Sequence, residues 1–232
     1  MSKKILLIIL TLVLTMTVAG IAAADDSSEF RVYGEYLTSG RNDLTIKVPI
    51  LGNGNWSYSN YEDFLLGGKI ATSRLVLGGE VALGSNFEQQ INESNYYKFM
   101  GGFRLCDDRL LKFDLVGSYL HLKDTQNNKE LCKLITYLIG FDLTLKLDDS
   151  LFLEGGLGYS LFNQAYLFEN KVPEDYMKKV HVLTYNICLS YLITDYIGMN
   201  AGYRGLTTEY IDGSFELSRK LNGFVLGAFL KF

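Results

Sequence analysis

The C-terminal segment of the chain has a period of two that ends on an aromatic residue. Read backwards in steps of two, one face carries Phe232, Leu230, Ala228, Leu226 and Phe224. Successive side chains of a β-strand point to opposite faces, so this segment is a strand with one continuous apolar face. The same alternation continues through most of the chain after residue 30. The sequence therefore predicts an all-β protein.

An export signal is predicted at the N-terminus. Two lysines, the apolar stretch 5–18 and the alanines 22–24 follow one another in the order of a signal peptide, residues 1–24, with a cleavage site at its end. The alternative is an uncleaved membrane anchor, because the apolar stretch is nearly long enough to span a bilayer. The small residues and the abrupt change to acidic residues favour cleavage. Residues 25–232 then form one β-barrel domain.

The alternating segments number about ten, with eight as the alternative count. Short connections that carry turn residues separate them from longer polar segments. The long segments are predicted as loops at 40–60, 85–95, 123–132, 164–179 and 208–220. Short turns at one end and long loops at the other are typical of transmembrane antiparallel up-and-down β-barrels, whose short turns face the periplasm.

Alternate residues of each strand form two sets, called here the apolar phase and the polar phase. Two kinds of β-barrel fit such a chain, and they differ in which phase faces inward. A soluble, lipocalin-like carrier places its apolar phase inside, whereas a membrane barrel places it outside. In this chain the apolar phase lacks charges in the central part of the strands. Lipid imposes that rule, since a charge at mid-bilayer costs about 2–4 kcal/mol. The polar phase is rich in glycine, which suits a crowded lumen. Both observations favour the membrane barrel.

The signal peptide, the alternating strands and the ending Leu226-x-Ala228-x-Leu230-x-Phe232 carry a family resemblance. On these features the chain resembles the small bacterial outer-membrane β-barrel proteins, a group that includes OmpA-type and opacity-type barrels. The resemblance implies a barrel held in outer-membrane lipid. It also implies that the barrel-assembly machinery reads the terminal strand during biogenesis. Phe232 is then the assembly signal, and Leu230 and Phe224 are supporting positions.

Charged residues of both signs fall on the inward phase. The predicted lumen charge network consists of Lys69, Glu80, Lys98, Arg104, Lys112, Asp114, Asp142, Lys146, Glu154 and Arg204. Buried charges need partners, so a network that fills a mostly plugged, polar lumen is predicted. Asp114 and Asp142 are expected to pair with Lys112 and Lys146 on neighbouring strands. The alternative is a narrow, porin-like passive pore for small solutes, because ten strands enclose slightly more space than side chains fill.

Other function classes find less support in the residues. The net charge of −4 argues against a nucleic-acid surface. Ser118 and His121 fall on opposite faces of one strand, which separates a nucleophile from its base. No catalytic residue, cofactor or metal site is predicted, and a rim-site membrane enzyme is the least favoured interpretation. Cys106, Cys132 and Cys188 are predicted to be free thiols. An envelope-structural or surface-interaction role remains, with any extracellular partner of the loops unidentified.

Overall fold

The computed structural model describes residues 28–48, 52–82, 93–126, 129–167, 170–172, 180–212 and 215–232. The predicted signal peptide, residues 1–24, lies outside these ranges. Within them every regular element is a β-strand. The described part of the chain contains no helix that is long and apolar enough to cross a membrane.

Eleven strands follow one another in the described part of the chain. They are β1 (Glu29–Val48), β2 (Gly52–Ala71), β3 (Leu75–Ala82), β4 (Glu93–Asp107), β5 (Leu111–Gln126), β6 (Lys129–Lys146), β7 (Leu151–Leu167), β8 (Asn170–Lys171), β9 (His181–Leu192), β10 (Ile197–Asp212) and β11 (Phe215–Lys231).

The sheet closes on itself as an antiparallel barrel. Each strand pairs with its neighbour along the chain, except that β7 pairs with β9 and the two-residue β8 pairs with the end of β7. The first strand, β1, pairs with both β2 and β11, which completes the ring. The barrel wall therefore has ten strands, as predicted, and the alternative count of eight is wrong.

Four short turns lie at one end of the barrel, which is called the turn end below. Threonine hydroxyls stabilise two of these turns. Thr72 Oγ1 accepts a hydrogen bond from the backbone N–H of Leu75 at 2.9 Å, and Thr194 Oγ1 accepts one from Ile197 at 3.0 Å. Such bonds satisfy backbone donors that have no ladder partner in a turn. They fix where β3 and β10 begin.

The opposite end, called the hairpin end, differs from the sequence prediction. The ladder between β1 and β2 continues to the pair Val48–Gly52, and the ladder between β10 and β11 continues to Asp212–Phe215. The predicted loops at 40–60 and 208–220 are therefore largely long strand pairs. Alternation weakens in these segments because both faces carry polar residues, while the backbone hydrogen bonds continue.

The apolar phase of the barrel faces outward, as predicted. Three residues of the terminal stripe, Phe224, Leu226 and Phe232, are 59%, 57% and 62% exposed. On the same strand Val225 and Phe229 point inward and are buried. The strands thus carry an apolar outer surface around a lumen that holds the charged residues.

Candidate functional site in the lumen

At the turn end of the lumen, lysines from two strands share one carboxylate. Lys112 Nζ on β5 lies 2.5 Å from Glu29 Oε2, and Lys231 Nζ lies 3.3 Å from Glu29 Oε1. Lys146 instead donates a hydrogen bond of 2.7 Å to Asp149 in the turn after β6, which holds the pKa of that carboxyl below its usual range. Lys112 and Lys146 therefore do not pair with Asp114 and Asp142 as expected.

The strand register explains this difference. Asp114 lies directly opposite Asp142 on the neighbouring strand, so two like charges face each other. Lys69 reaches across the lumen from β2 and places Nζ 3.0 Å from an oxygen of each aspartate. Arg104 Nε adds a contact of 2.9 Å to Asp114. A Cβ at Gly156 would lie 2.7 Å from Asp142 Oδ1, so glycine leaves room for this cluster.

A second cluster crosses the middle of the lumen. Arg204 Nη1 donates to Glu35 at 2.9 Å, and Nη2 donates to Glu80 at 2.9 Å on the far wall. Two tyrosines donate to Glu80 as well, Tyr33 at 3.0 Å and Tyr96 through a short hydrogen bond. Both carboxylates are buried, at 7% and 6% exposure, and the guanidinium compensates both.

One further ion pair crosses the bore beside these clusters. Arg31 on β1 contacts Glu154 on β7, and Ser190 donates a hydrogen bond of 2.7 Å to the same carboxylate. Lys98 lies directly opposite Glu80 in the ladder between β3 and β4 and lines a cavity in the middle of the lumen, which is called the central cavity below. Each of the ten predicted network residues thus faces the lumen or its turn end.

The hairpin half of the lumen is largely apolar, which the alternating pattern does not predict, and the buried side chains of Thr136, Ser160 and Asn163 are hydrogen-bonded to one another within it. Its buried cluster consists of Ile46, Leu120, Leu122, Cys132, Leu134, Leu138, Ala165, Leu167, Val172, Val180, Val182, Leu206 and Leu217. One ion pair lies at the same level, between Arg219 and Asp124, whose side chains are only 2% and 0% exposed. These two residues lie on β11 and β5, which are diametrically opposed in the ring of ten strands.

Three cavities follow one another along the lumen and shrink toward the hairpin end. The first, at the turn end, has a volume of about 540 Å³. The second is the central cavity, which has a volume of about 120 Å³ and shares Lys69 and Glu154 with the first as lining residues. The third, of about 70 Å³, shares Lys98 and Asp142 with the second and extends to Leu206 of the apolar cluster. The free space is therefore widest at the turn end.

Aromatic contacts border the outer apolar surface at two heights. Toward the hairpin end Tyr119 and Tyr137 have ring centroids 5.4 Å apart. At the turn end Phe30 stacks on Phe232 at 6.0 Å, and the two residues also exchange backbone hydrogen bonds. Leu230 lies on the same outward face. The predicted assembly signal is thus an exposed aromatic at the seam between the first and last strands.

Both histidines lie at outward positions near the hairpin end, where His181 is exposed and His121 is buried. His121 stacks on Tyr97 with ring centroids 4.4 Å apart. His181 Nδ1 lies 2.6 Å from the hydroxyl of Tyr159. The three cysteines are free thiols, as predicted. Among the described residues there is no group of three or more histidine, cysteine or acidic side chains placed to hold a metal ion.

The comparisons with known proteins identify the fold. No family model matches the chain, and no curated protein matches its sequence. The outer membrane protease OmpT from Escherichia coli matches the structure with a TM-score of 0.62 at 10% identity, over 88% of this chain and 97% of OmpT. The fold is that of an outer-membrane β-barrel.

Two other outer-membrane barrels show lower similarity. Neisserial surface protein A has a TM-score of 0.40 at 13% identity, over 88% of this chain and 97% of that protein. OprG from Pseudomonas aeruginosa has a TM-score of 0.37 at 12% identity, over 90% of this chain and 97% of OprG. The outer-membrane barrel fold positions the apolar belt outside and the ion pairs inside.

Proposed function

We propose that the protein is an integral outer-membrane barrel whose lumen is closed and whose role is structural in the envelope or one of surface interaction. The observation that carries the proposal is the combination of an exposed apolar belt with a lumen that is crossed by ion pairs and filled by an apolar cluster. The belt requires lipid, and the filled lumen argues against free passage of solutes.

The height of the belt supports a membrane location. The apolar outward positions on β5 from Leu111 to Tyr119 span eight residues. At about 3.3 Å per residue and a strand tilt of about 40°, they rise about 20 Å, which is most of the height of about 25 Å of the apolar band of transmembrane barrels. The paired strands beyond this band project from the membrane. They supply a surface for contact with other molecules.

Closure of the lumen rests on two successive barriers. In the turn half, Lys69, Arg31 and Arg204 each reach a carboxylate on a strand across the bore. Pulling such pairs apart costs several kcal/mol, because each charge is then left unpaired. In the hairpin half, close-packed aliphatic side chains replace the polar ones. Water and ions enter such a region reluctantly.

Conductance of the refolded protein in planar bilayers tests the closed lumen. We expect little or no steady current. Stable, voltage-independent openings in most insertions would refute closure and favour the second candidate, a narrow passive pore. The cavity of about 540 Å³ at the turn end favours that candidate, since it would serve as the entrance.

Thiol labelling gives an independent test of the same proposal. Cys132 lies in the apolar cluster and Cys188 lines the central cavity. A membrane-impermeant thiol reagent added from the hairpin side is expected to leave both unmodified in the folded barrel. A Cys106→Ser background removes the third thiol. Rapid modification of Cys132 would mean that the hairpin half is open to water.

We also propose that the protein is not an enzyme. OmpT is a protease, but the likeness of this chain to OmpT extends to the fold alone. The two histidines of this chain contact aromatic rings on the outer surface and face away from the lumen. Hydrolysis of peptide or ester substrates by the refolded barrel, lost in His121→Ala or His181→Ala, would refute this part of the proposal.

A further inference from the structure

Strand β2 has a long open edge at the hairpin end. It pairs with β1 as far as Gly52, whereas its pairing with β3 ends at Leu65, opposite Ala82. In the described part of the chain, the residues from Gly52 to Phe64 therefore have a ladder partner on one side only. By comparison, β4 and β10 each pass their last pair on one side by three residues. The open edge of β2 is several times longer than either of these.

The open edge lacks the residues that usually protect a strand edge. Unpaired N–H and C=O groups promote pairing with another chain, and natural sheets block them with charged residues, proline or a covering loop. Residues 52–61 contain no proline and no charged residue. They lie beyond Phe64, which is 41% exposed in the apolar belt, toward the hairpin end. A second polypeptide can therefore approach this edge from water.

The register identifies the backbone groups that point to the open edge. Phe30 and Phe232 exchange both backbone hydrogen bonds, and such bonded pairs recur at every second residue of an antiparallel ladder. We followed this alternation along β11, which has no register shift against β10, and then across β1. It makes Ile46 and Gly54 a bonded pair between β1 and β2. The N–H and C=O groups that point to the open edge are consequently those of Asn53, Asn55 and Ser57.

Two occupants from this protein itself fit the edge poorly. The connection between β3 and β4, residues 83–92, contains ten residues. A chain of that length that leaves the rim and returns to it reaches at most about 18 Å, whereas residues 52–64 extend over about 43 Å. In a second copy in the same membrane, strands tilt by about 40° in the same sense, so the two β2 edges cross instead of lying side by side. Both geometries favour a segment of another protein.

We propose that the open edge of β2 binds an extended segment of another protein by adding it as a further strand. The inference deepens the proposed surface-interaction role and rests on it. The added strand exchanges backbone hydrogen bonds with Asn53, Asn55 and Ser57. It has to be free of proline over about five residues, because proline has no N–H to donate. The segment is also uncharged, since a charge beside residues 52–61 would lose hydration without gaining a partner.

Fluorescence anisotropy with a strand-forming peptide tests the site. The probe is a fluorescein-labelled peptide of alternating threonine and valine, with one lysine at each end for solubility. The protein is the refolded full chain in micelles of a neutral detergent. The wild type is expected to bind the probe saturably. A second peptide, in which proline replaces the valines, is expected not to bind, because it can neither donate the hydrogen bonds nor extend as a central strand.

Three variants, each checked for a heat-modifiable folded band, locate the binding edge. Ser57→Pro removes one N–H from the open edge while the bonds between β1 and β2 remain, so it should weaken binding about tenfold. Ser57→Ala keeps that N–H and should bind as the wild type does. The matched control Ile211→Pro lies on β10 beyond its last pair with β9 and should also bind normally. No binding by the wild type, unchanged binding by Ser57→Pro, or an equal loss in Ile211→Pro would overturn the site.

Two further measurements separate the occupant and the proposed function from the edge itself. Analytical ultracentrifugation without peptide detects self-association. If Ser57→Pro abolishes such association, a second copy occupies the edge, and the assignment to another protein is overturned. Planar-bilayer conductance tests the proposed function independently. A closed barrel that does not bind the probe would overturn only the open-edge site, whereas a conducting barrel that binds it would refute the closed lumen and support the site.

Discussion

Replacement of Arg219 by methionine is expected to destabilise the barrel by about 3–5 kcal/mol. Methionine keeps the length of the side chain and removes its charge. The change leaves the carboxylate of Asp124 without its guanidinium partner at 0% exposure, among the aliphatic side chains of the hairpin half. A buried charge that loses its partner cannot recover its hydration unless the core opens.

The size of the effect follows from burial at both ends of the pair. If both charges are removed together, in Arg219→Met/Asp124→Leu, no unpaired ion remains. Hydrophobic replacement of a whole buried pair is commonly neutral or stabilising, so the double variant is expected within about 1 kcal/mol of the wild type. Asp124→Leu alone leaves the buried guanidinium of Arg219 without this carboxylate and is also expected to destabilise the barrel, so the cost of either single variant should largely disappear in the double variant of a double-mutant cycle.

Equilibrium unfolding by urea in detergent micelles measures these free energies, provided that the denaturant slope is the same for all variants. Arg74→Met is the control, because Arg74 lies exposed in a turn and its replacement should change stability by less than about 0.5 kcal/mol. An Arg219→Met variant within about 1 kcal/mol of the wild type would refute the reasoning. In that case Asp124 is hydrated, and the hairpin half of the lumen is not a dry core.

Three further outcomes are expected from the same geometry. Leu189→Arg, on the outward face at mid-belt, should cost about 2–4 kcal/mol in the unfolding assay, whereas Ser218→Arg beyond the belt should cost less than about 1 kcal/mol. Gly140→Ala should destabilise by about 1–3 kcal/mol, because its Cβ would lie 2.1 Å from a backbone oxygen of β7. Gly117→Ala, where the nearest atom is 3.8 Å away, should be tolerated by the same measure. Deletion of Phe232 should slow insertion in cells while export continues, and wild-type amounts of heat-modifiable barrel would contradict that role.

Which residues of each strand point outward could be predicted from the sequence, because lipid on one side and the lumen on the other impose a period of two on hydrophobicity. The stripe from Phe224 to Phe232 illustrates this, since its exposed face could be predicted from alternation alone. The long ladders at the hairpin end could not be predicted from alternation. Residues such as Lys47 and Glu216 are polar on a face that meets water, so the alternating signal disappears although the backbone pairing continues.

The contacts within the lumen could not be predicted from alternation, because alternation does not give the register between strands. Periodicity assigns Asp114 and Asp142 to the inward phase but does not set their depth relative to other strands. The register places the two aspartates face to face, and their cation comes from Lys69 across the bore. The pair of Arg219 and Asp124 was missed because both residues lie in segments predicted as loops. The only signal for it is a single arginine at an inward position of the extended β11.

The seam between β1 and β11 has a kinetic consequence. It joins residues 31–47 to residues 216–231, so every contact along it spans about 170 to 200 residues of the chain. Such contacts form late, because the entropy of bringing distant segments together has to be overcome before any bond is gained. A chain that is still being exported, or that ends before β11, leaves β1 with an open edge. Open edges template association with other strands. The interval between synthesis of the first strand and arrival of the last is therefore the period in which this protein is most prone to aggregate.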